Sequence, residues 1–294
     1  MQADVTLTFD RGGLVSLDTR DLMIQCVMNV DGDEIPFTQA AREKILGSRL
    51  DIEVPPLSPK VTIIYMIGEQ ASGLQWLTPE QTAGKRHPFL FSQGECIHTR
   101  SYLPCQDTPS VRVPFLARLH VPKELRGLMA ATFVSREESG DVAVETWKMV
   151  HPIPSYLIAF AIGDVVSHDL SDRVRIWAEP ELVEAAASEF EDLPAIVGAA
   201  EELFGPYPWG RYDALFMPTA FPFGGMENQG LTFFSPSIVA GDKSMVSVAA
   251  HELAHSWFGN LITNASWEDF WLNEGWTMWA ENRLVEVVFG IDAA

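Results

Sequence analysis

The sequence predicts an α+β protein. A β-sandwich-like N-terminal domain covers residues 1–165, and a helix-bearing domain follows over residues 166–294. Three observations lead there. Up to Gly163, short apolar runs alternate with polar residues and are punctuated by Pro and Gly, the pattern of strands with one buried face. Beyond Gly163 the period lengthens to that of amphipathic helices. With 294 residues, 47% of them hydrophobic, the chain can bury one large core or two ordinary ones.

Taken in order, DVTLTF sets Val5, Leu7 and Phe9 on one face of a strand. LMIQCVMNVDGDEIPF carries an Asp31-Gly32 turn between apolar runs and reads as a hairpin. LDIEVPP, VTIIYMI, VRVPFLARLHV and YLIAFAIG are further β-rich runs. Pro180 then opens a helical pattern that Gly205 closes, with Pro194 set to break or kink it. YDALFMP reads as a strand and FGGMENQGLTFFS as two extended runs. A helix is predicted from Ser244 to Trp257, closing near Gly259. Another begins at Ser266, with Asp269 in the capping-box position, and runs toward Gly290.

Composition narrows the function. Acidic residues outnumber basic ones 40 to 20, giving a net charge of -20 with no basic run, which argues against nucleic acid as a partner. The three cysteines, Cys26, Cys96 and Cys105, include no C-x-x-C pair and make a poor disulfide framework, as expected of a reducing compartment. No apolar run approaches the roughly 20 residues of a membrane span, and the first residues lack a secretory signal. The expectation is a cytoplasmic protein that does not engage membranes.

HELAHSWFGN, residues 251 to 260, carries the chemistry. Helical geometry turns His251 and His255 to within about 40° of each other, so two imidazoles can share one metal ion. Glu252 projects about 100° round from His251, beside the ligands, where a carboxylate can take a proton from a bound water. Two helix histidines at this spacing also occur as ordinary satisfied residues. Two features favour the metal. Catalytic zinc takes a third protein ligand and leaves one position open. Glu274, in WLNEGW on the next helix, can fold back to supply that ligand. In GGMEN, Gly224 and Gly225 leave backbone bare for an extended peptide, and Glu227 offers a negative charge to its α-ammonium. Five of the nine tryptophans, Trp257, Trp267, Trp271, Trp276 and Trp279, crowd this region and are expected to be core packing.

GGMEN, HELAH and WLNEGW, in this order and spacing, resemble the zinc aminopeptidases that include alanyl aminopeptidase and leukotriene hydrolase, a gluzincin family. LQWLTPEQTAGKRHPFLFSQGECIHTRSYLPCQDTPSVR and GLTFFSPSIVAGDKSMVSVAAHELAHSWFGNLITNASW are most similar to the leukotriene hydrolase branch, and the likeness runs through the whole chain. It implies that the second domain is the first part of a thermolysin-like mixed α/β catalytic domain. It implies one zinc ion per chain on His251, His255 and Glu274, with Glu252 as general base. Glu227 then holds the free amine of a peptide substrate, and Gly224, Gly225 and Met226 contact its backbone. Glu95 stands beside that amine where the branch carries Gln, which favours peptide over lipid, and Gln93 lines the same pocket. Phe223 replaces a Tyr of the branch. Glu281, on the face of Glu274, either supports a ligand or is an exposed helix carboxylate.

The implied activity is hydrolysis of the N-terminal residue of peptides by metal-activated water. The alternatives are a lipid-epoxide hydrolase of the leukotriene hydrolase type and an inactive metal- or peptide-binding fragment. By the same resemblance the chain is expected to be cut at both ends, with Val285, Val288 and Phe289 left uncovered, and to be poorly active or marginally stable as it stands.

Overall fold

A computed structural model describes residues 1–292. The chain forms two compact units, one of Met1–Gln75, Ser92–Val111 and Pro154–Tyr156, the other of Trp76–Phe91, Arg112–Ile153 and Leu157–Ala294. All of the first unit lies before residue 157, and the second takes in Trp76–Phe91 and Arg112–Ile153 along with the later residues.

The first unit holds β1 (Gln2–Thr8), β2 (Gly13–Thr19), β3 (Leu22–Met28), β4 (Phe37–Gln39), β5 (Ser48–Val54) and β6 (Lys60–Ile67) in two three-stranded sheets, ordered β1-β6-β3 and β2-β5-β4. Strict alternation along β5 and β6 sends Leu50, Ile52 and Ile63 inward, where each is fully buried. Each such side chain contributes about 1.5–3 kcal/mol. The Asp31-Gly32 turn forms, with Gly32 at φ 86° and the Asn29 side chain accepting the amides of Asp31 and Asp33. The predicted hairpin does not continue. After the Met28–Glu34 bridge the chain leaves β3, and β4 pairs with β5 instead. Pro36, whose ring fixes φ at about −65°, stands where the chain departs, one residue after the Ile35 amide makes the last bond to the Val27 carbonyl.

The second unit follows with β7 (Leu74–Leu77) at the boundary, then β8 (Phe89–Ser92), β9 (Arg112–Pro122), β10 (Arg126–Met129), β11 (Thr132–Ser139), β12 (Val142–Pro154), β13 (Phe160–Gly163), β14 (Val166–Asp169) and β15 (Val174–Ala178). Strands β11-β12-β9 form one sheet and β10-β13-β8-β7 another. The helical part begins with α1 (Val183–Glu189) and α2 (Leu193–Phe204), followed by β16 (Tyr212–Phe216), β17 (Gly225–Met226) and β18 (Leu231–Phe234). These strands complete a mixed sheet, β14-β15-β16-β18-β17, parallel across β15, β16 and β18 and antiparallel at both edges. Pro194 does break the predicted helix. It sits in the first turn of α2, where its missing N–H costs nothing, and Gly205 closes α2 at φ 97°.

Two helices follow, α3 (Val246–Ala254) and α4 (Trp271–Phe289). Ser266 caps a short 3₁₀ turn, Trp267–Asp269, by accepting from the Glu268 amide, so α4 starts later than its capping residue suggests. Ala249, Ala250 and Ala254 of α3 and Ala280 of α4 are all buried, and their small side chains let the helices approach closely. Two packing expectations fail. Trp257 is buried, but Trp271, Trp276 and Trp279 are 66%, 53% and 51% exposed. Helix α4 is apolar around much of its circumference, and its Asn273, Thr277, Ala280 and Leu284 stripe faces inward. Val285, expected to be uncovered, lies beside that stripe and is buried, whereas Phe289 is exposed.

Candidate metal centre

His251 lies in the last turn of α3. His255 follows it with helical dihedrals, φ -54° and ψ -26°, so the four-residue spacing keeps both rings on one side. The ring centroids are 4.8 Å apart, and the two Nε2 atoms face each other at 3.2 Å. Glu274, in the first turn of α4, brings Oε2 to 3.5 Å from His251 Nε2 and Oε1 to 3.7 Å from His255 Nε2. The opposite ring atoms are already engaged. His251 Nδ1 lies 3.0 Å from Glu281 Oε2, and His255 Nδ1 lies 3.0 Å from the Phe258 carbonyl and 3.2 Å from Thr277 Oγ1. Each Nδ1 faces a partner outward, so in the neutral rings that a metal requires both Nε2 lone pairs point to the shared space beside Glu274.

The donor set fits a zinc ion: two imidazole nitrogens and a carboxylate, each oriented from behind. Carboxylates dominate the electrostatics of the site, and a metal would have to displace the proton they hold on His251. Burial disfavours an imidazolium at His251, yet hydrogen bonds to Glu274 and Glu281 outweigh it and hold its pKa at about 10. Burial also works against the Glu274 carboxylate, but hydrogen bonding to His251 and the charges of both histidines keep it below its ordinary range. Burial, then the neighbouring Glu227, pushes Glu252 well above the usual carboxylate range. A pocket with this many carboxylates selects for positive charge.

Glu252 and Glu227 are 7% and 5% exposed, and with His255 they bring ligand-type atoms within 4.8 Å of one another. Glu227 Oε1 is buried with no hydrogen-bond partner, a condition that native interiors seldom tolerate without a ligand, ion or water. Strand β17 runs directly along Glu252. A Cβ added to Gly225 would lie 2.4 Å from Glu252 Cγ, so the bare backbone is what admits the base. Gly224 is exposed, with its nearest neighbour, Val248 Cγ1, at 3.7 Å from such a Cβ. Met226 is buried and Phe223 is 48% exposed. β17 is the edge strand of its sheet, next to β18. Gln93 and Glu95 are both half-buried and belong to the first unit, where the Gln93 amide donates to the Gly73 carbonyl at 2.9 Å.

Three groups at the centre have no counterpart in the sequence reading: the Thr277 hydroxyl, the Phe258 carbonyl and the Asn260 amide. Thr277 follows Glu274 by three positions, and that spacing alone placed it on the ligand's face of α4. The other two depend on a turn that no local pattern announces.

Comparison with known proteins fits this geometry. The Peptidase M1 N-terminal domain model matches residues 2–157, more than half the chain, and the Peptidase family M1 domain model matches residues 189–293. The chain belongs to peptidase family M1. Among family M1 proteins, leukotriene A-4 hydrolase of Xenopus laevis is 44% identical over 93% of this chain and 46% of its own length. Aminopeptidase B of Mus musculus is 48% identical over 79% of this chain and 35% of its own length. This chain thus spans less than half the length of these two relatives. Yeast LTA4 hydrolase, solved in complex with bestatin, superposes with a TM-score of 0.89 at 37% identity, covering 98% of this chain and 46% of that one. An M1 zinc metallopeptidase from Deinococcus radiodurans shares the fold, with a TM-score of 0.77 at 23% identity over 97% of this chain and 66% of that one. Among the described residues no helix is long and apolar enough to cross a membrane.

Proposed function

We propose that this family M1 chain carries the catalytic centre of a zinc aminopeptidase, which removes the first residue of peptides bearing a free amine. One observation carries the reading: both Nε2 atoms and the Glu274 carboxylate converge on one point, with two further buried carboxylates beside it. A zinc ion held by His251, His255 and Glu274 would acidify a water and polarise the scissile carbonyl. The chain's own groups do the rest. Glu252 Oε accepts the proton of the attacking water and returns it to the leaving nitrogen. Glu227, whose Oε1 has no protein partner, pairs with the α-ammonium and sets the cut one residue in. The edge strand β17 takes the substrate backbone as an added strand past Gly224, Gly225 and Met226. Glu281 and Thr277 hold the imidazoles in the tautomers that face inward.

Roles for Gln93 and Glu95 in the same recognition rest on the family resemblance alone. The division into a β-rich domain to residue 165 and a partial catalytic domain beyond it is likewise proposed from the sequence. A cytoplasmic location is proposed too, on the sparse, odd set of three cysteines in the sequence.

The test pairs metal content with amine dependence. The intact protein is expected to hold one zinc and to cleave an aminoacyl anilide but not its N-acetylated form. Glu252→Gln should keep the zinc and lose about 10²–10⁴ in kcat. Equal cleavage of the blocked substrate, or a parental rate in E252Q, would sink the assignment.

A further inference from the structure

The turn that leaves α3 ties the metal ligands to the amine anchor. Residues Phe258 to Thr263 close on themselves through a Phe258–Ile262 bridge, with the Gly259 amide donating to the Ile262 carbonyl at 2.8 Å and the Thr263 hydroxyl to the Gly259 carbonyl. Gly259 adopts φ 123°, a conformation that side chains rarely take. From this turn three contacts reach the centre. The Phe258 carbonyl accepts from His255 Nδ1 at 3.0 Å and from Thr277 Oγ1 at 2.9 Å. On the other side, Asn260 Nδ2 donates to the Glu227 backbone carbonyl at 2.7 Å. One short segment therefore touches a zinc-ligand candidate, the helix bearing Glu274, and the residue proposed to bind the substrate amine.

Packing holds that segment at its start, where Phe258 meets the Phe204 ring edge-on at 5.2 Å and Gly259 is buried, and much less toward its end. Leu261 and Ile262 are 47% and 71% exposed, while Asn260 is 1% exposed. What fixes it from outside is Arg112, at the start of β9. Its guanidinium donates through Nη2 to the Asn260 carbonyl at 2.7 Å, through Nη1 to Thr263 Oγ1 at 2.9 Å, and through Nε to the Pro152 carbonyl at 3.1 Å. Three acceptors in fixed directions suit a planar fork and cannot all be met by an ammonium.

We propose that Arg112 and Asn260 are positioning residues: Arg112 locks the 258–263 turn, and Asn260 transmits its position to Glu227, so that metal ligand and amine anchor keep one register. The inference rests on the proposed function, since it assigns the two ends of the turn to zinc and to the substrate amine. Neither residue touches the reacting atoms. The two differ in what they control. Asn260 acts on the anchor, whereas Arg112 acts on both ends.

The experiment measures zinc affinity by chelator competition and the KM and kcat of the intact protein on a free-amine aminoacyl anilide. Asn260→Ala is expected to raise KM about tenfold while zinc affinity stays within about twofold, because only the anchor shifts. Arg112→Ala is expected to weaken zinc about tenfold or more and to raise KM as well, the size of effect seen when a ligand's supporting shell is removed. Arg112→Lys should recover only a minor part of either loss, and added guanidinium should restore R112A more than added ammonium does. Should R112A not fold, Thr263→Val carries the same test, with zinc weakened about threefold. Unchanged KM in N260A, unchanged zinc affinity in R112A or T263V, or full recovery by lysine overturns the inference while leaving the aminopeptidase reading intact. A parent protein that takes up no zinc overturns both.

Discussion

At His251 and His255 the same side chain is held in two different ways. His251 Nδ1 meets a carboxylate, Glu281, whereas His255 Nδ1 meets a carbonyl and a hydroxyl. A carboxylate partner makes an imidazole the more basic ligand. Replacing Glu281 by Gln keeps the shape and removes the charge, so E281Q should weaken zinc binding about 10–100-fold without unfolding the protein. Chelator competition on E281Q checks this, and an unchanged affinity would return Glu281 to the ordinary helix carboxylate that the sequence left open. The ligand candidates were legible because their chemistry is local: H-E-x-x-H spacing on a helix fixes two rings and one carboxylate. Asn260 and Arg112 were not legible. Their partners lie 33 and 148–151 positions away, and only the folded register brings them together.

Among the elements, the chain boundaries that punctuating residues specify came out as read, and those that depend on pairing partners did not. Pro194 and Gly205 mark ends of helix because their constraints are intrinsic to the residue. The Asp31-Gly32 turn forms for the same reason, yet the chain departs at Pro36 and the next strand pairs with β5. The tryptophans of α4 show a related limit. Composition predicts burial on average, but the helix turns several of its apolar faces outward. Gly259 combines both levels. Its φ of 123° resists any side chain, and a Cβ there would sit 3.0 Å from His255 Nδ1. Gly259→Ala should therefore cost about 1–3 kcal/mol of stability and loosen the metal site with it. Thermal melting with and without zinc measures both, and a variant that melts with the parent and keeps its zinc affinity would contradict the expectation.

Across the whole molecule, arginine–carboxylate pairs set the response to acid. Asp21, Asp169, Glu181 and Glu201 are each held below their ordinary values, first by a hydrogen bond from Arg42, Arg175, Arg86 and Arg173 respectively. A carboxylate depressed in the folded state stabilises it fully above the unfolded values, 3.8 for Asp and 4.5 for Glu, and loses that contribution as pH falls through the folded value. Buried Asp213 has the opposite sense, raised first by burial, so acid relieves a cost there. With Asp51, Glu80, Asp242 and Glu274 also lowered, the depressed carboxyls outnumber the two raised ones, Asp213 and Glu252, and the Tm is expected to decline below about 4.5, gradually because exposed pairs are individually weak. A Tm that rises on acidification would show the buried, raised carboxyls Asp213 and Glu252 to dominate.

The outward-facing rings of α4 carry a practical consequence. Trp271, Trp276 and Trp279 stand at least half in water on the same helix that presents Glu274 and Glu281, and the last two rings meet edge-on at 6.3 Å. Their emission responds to the polarity around them, and aqueous quenchers can reach them. The helix that carries Glu274 and Glu281 therefore comes with an intrinsic optical reporter, one that can be read with no dye attached and no substrate turned over.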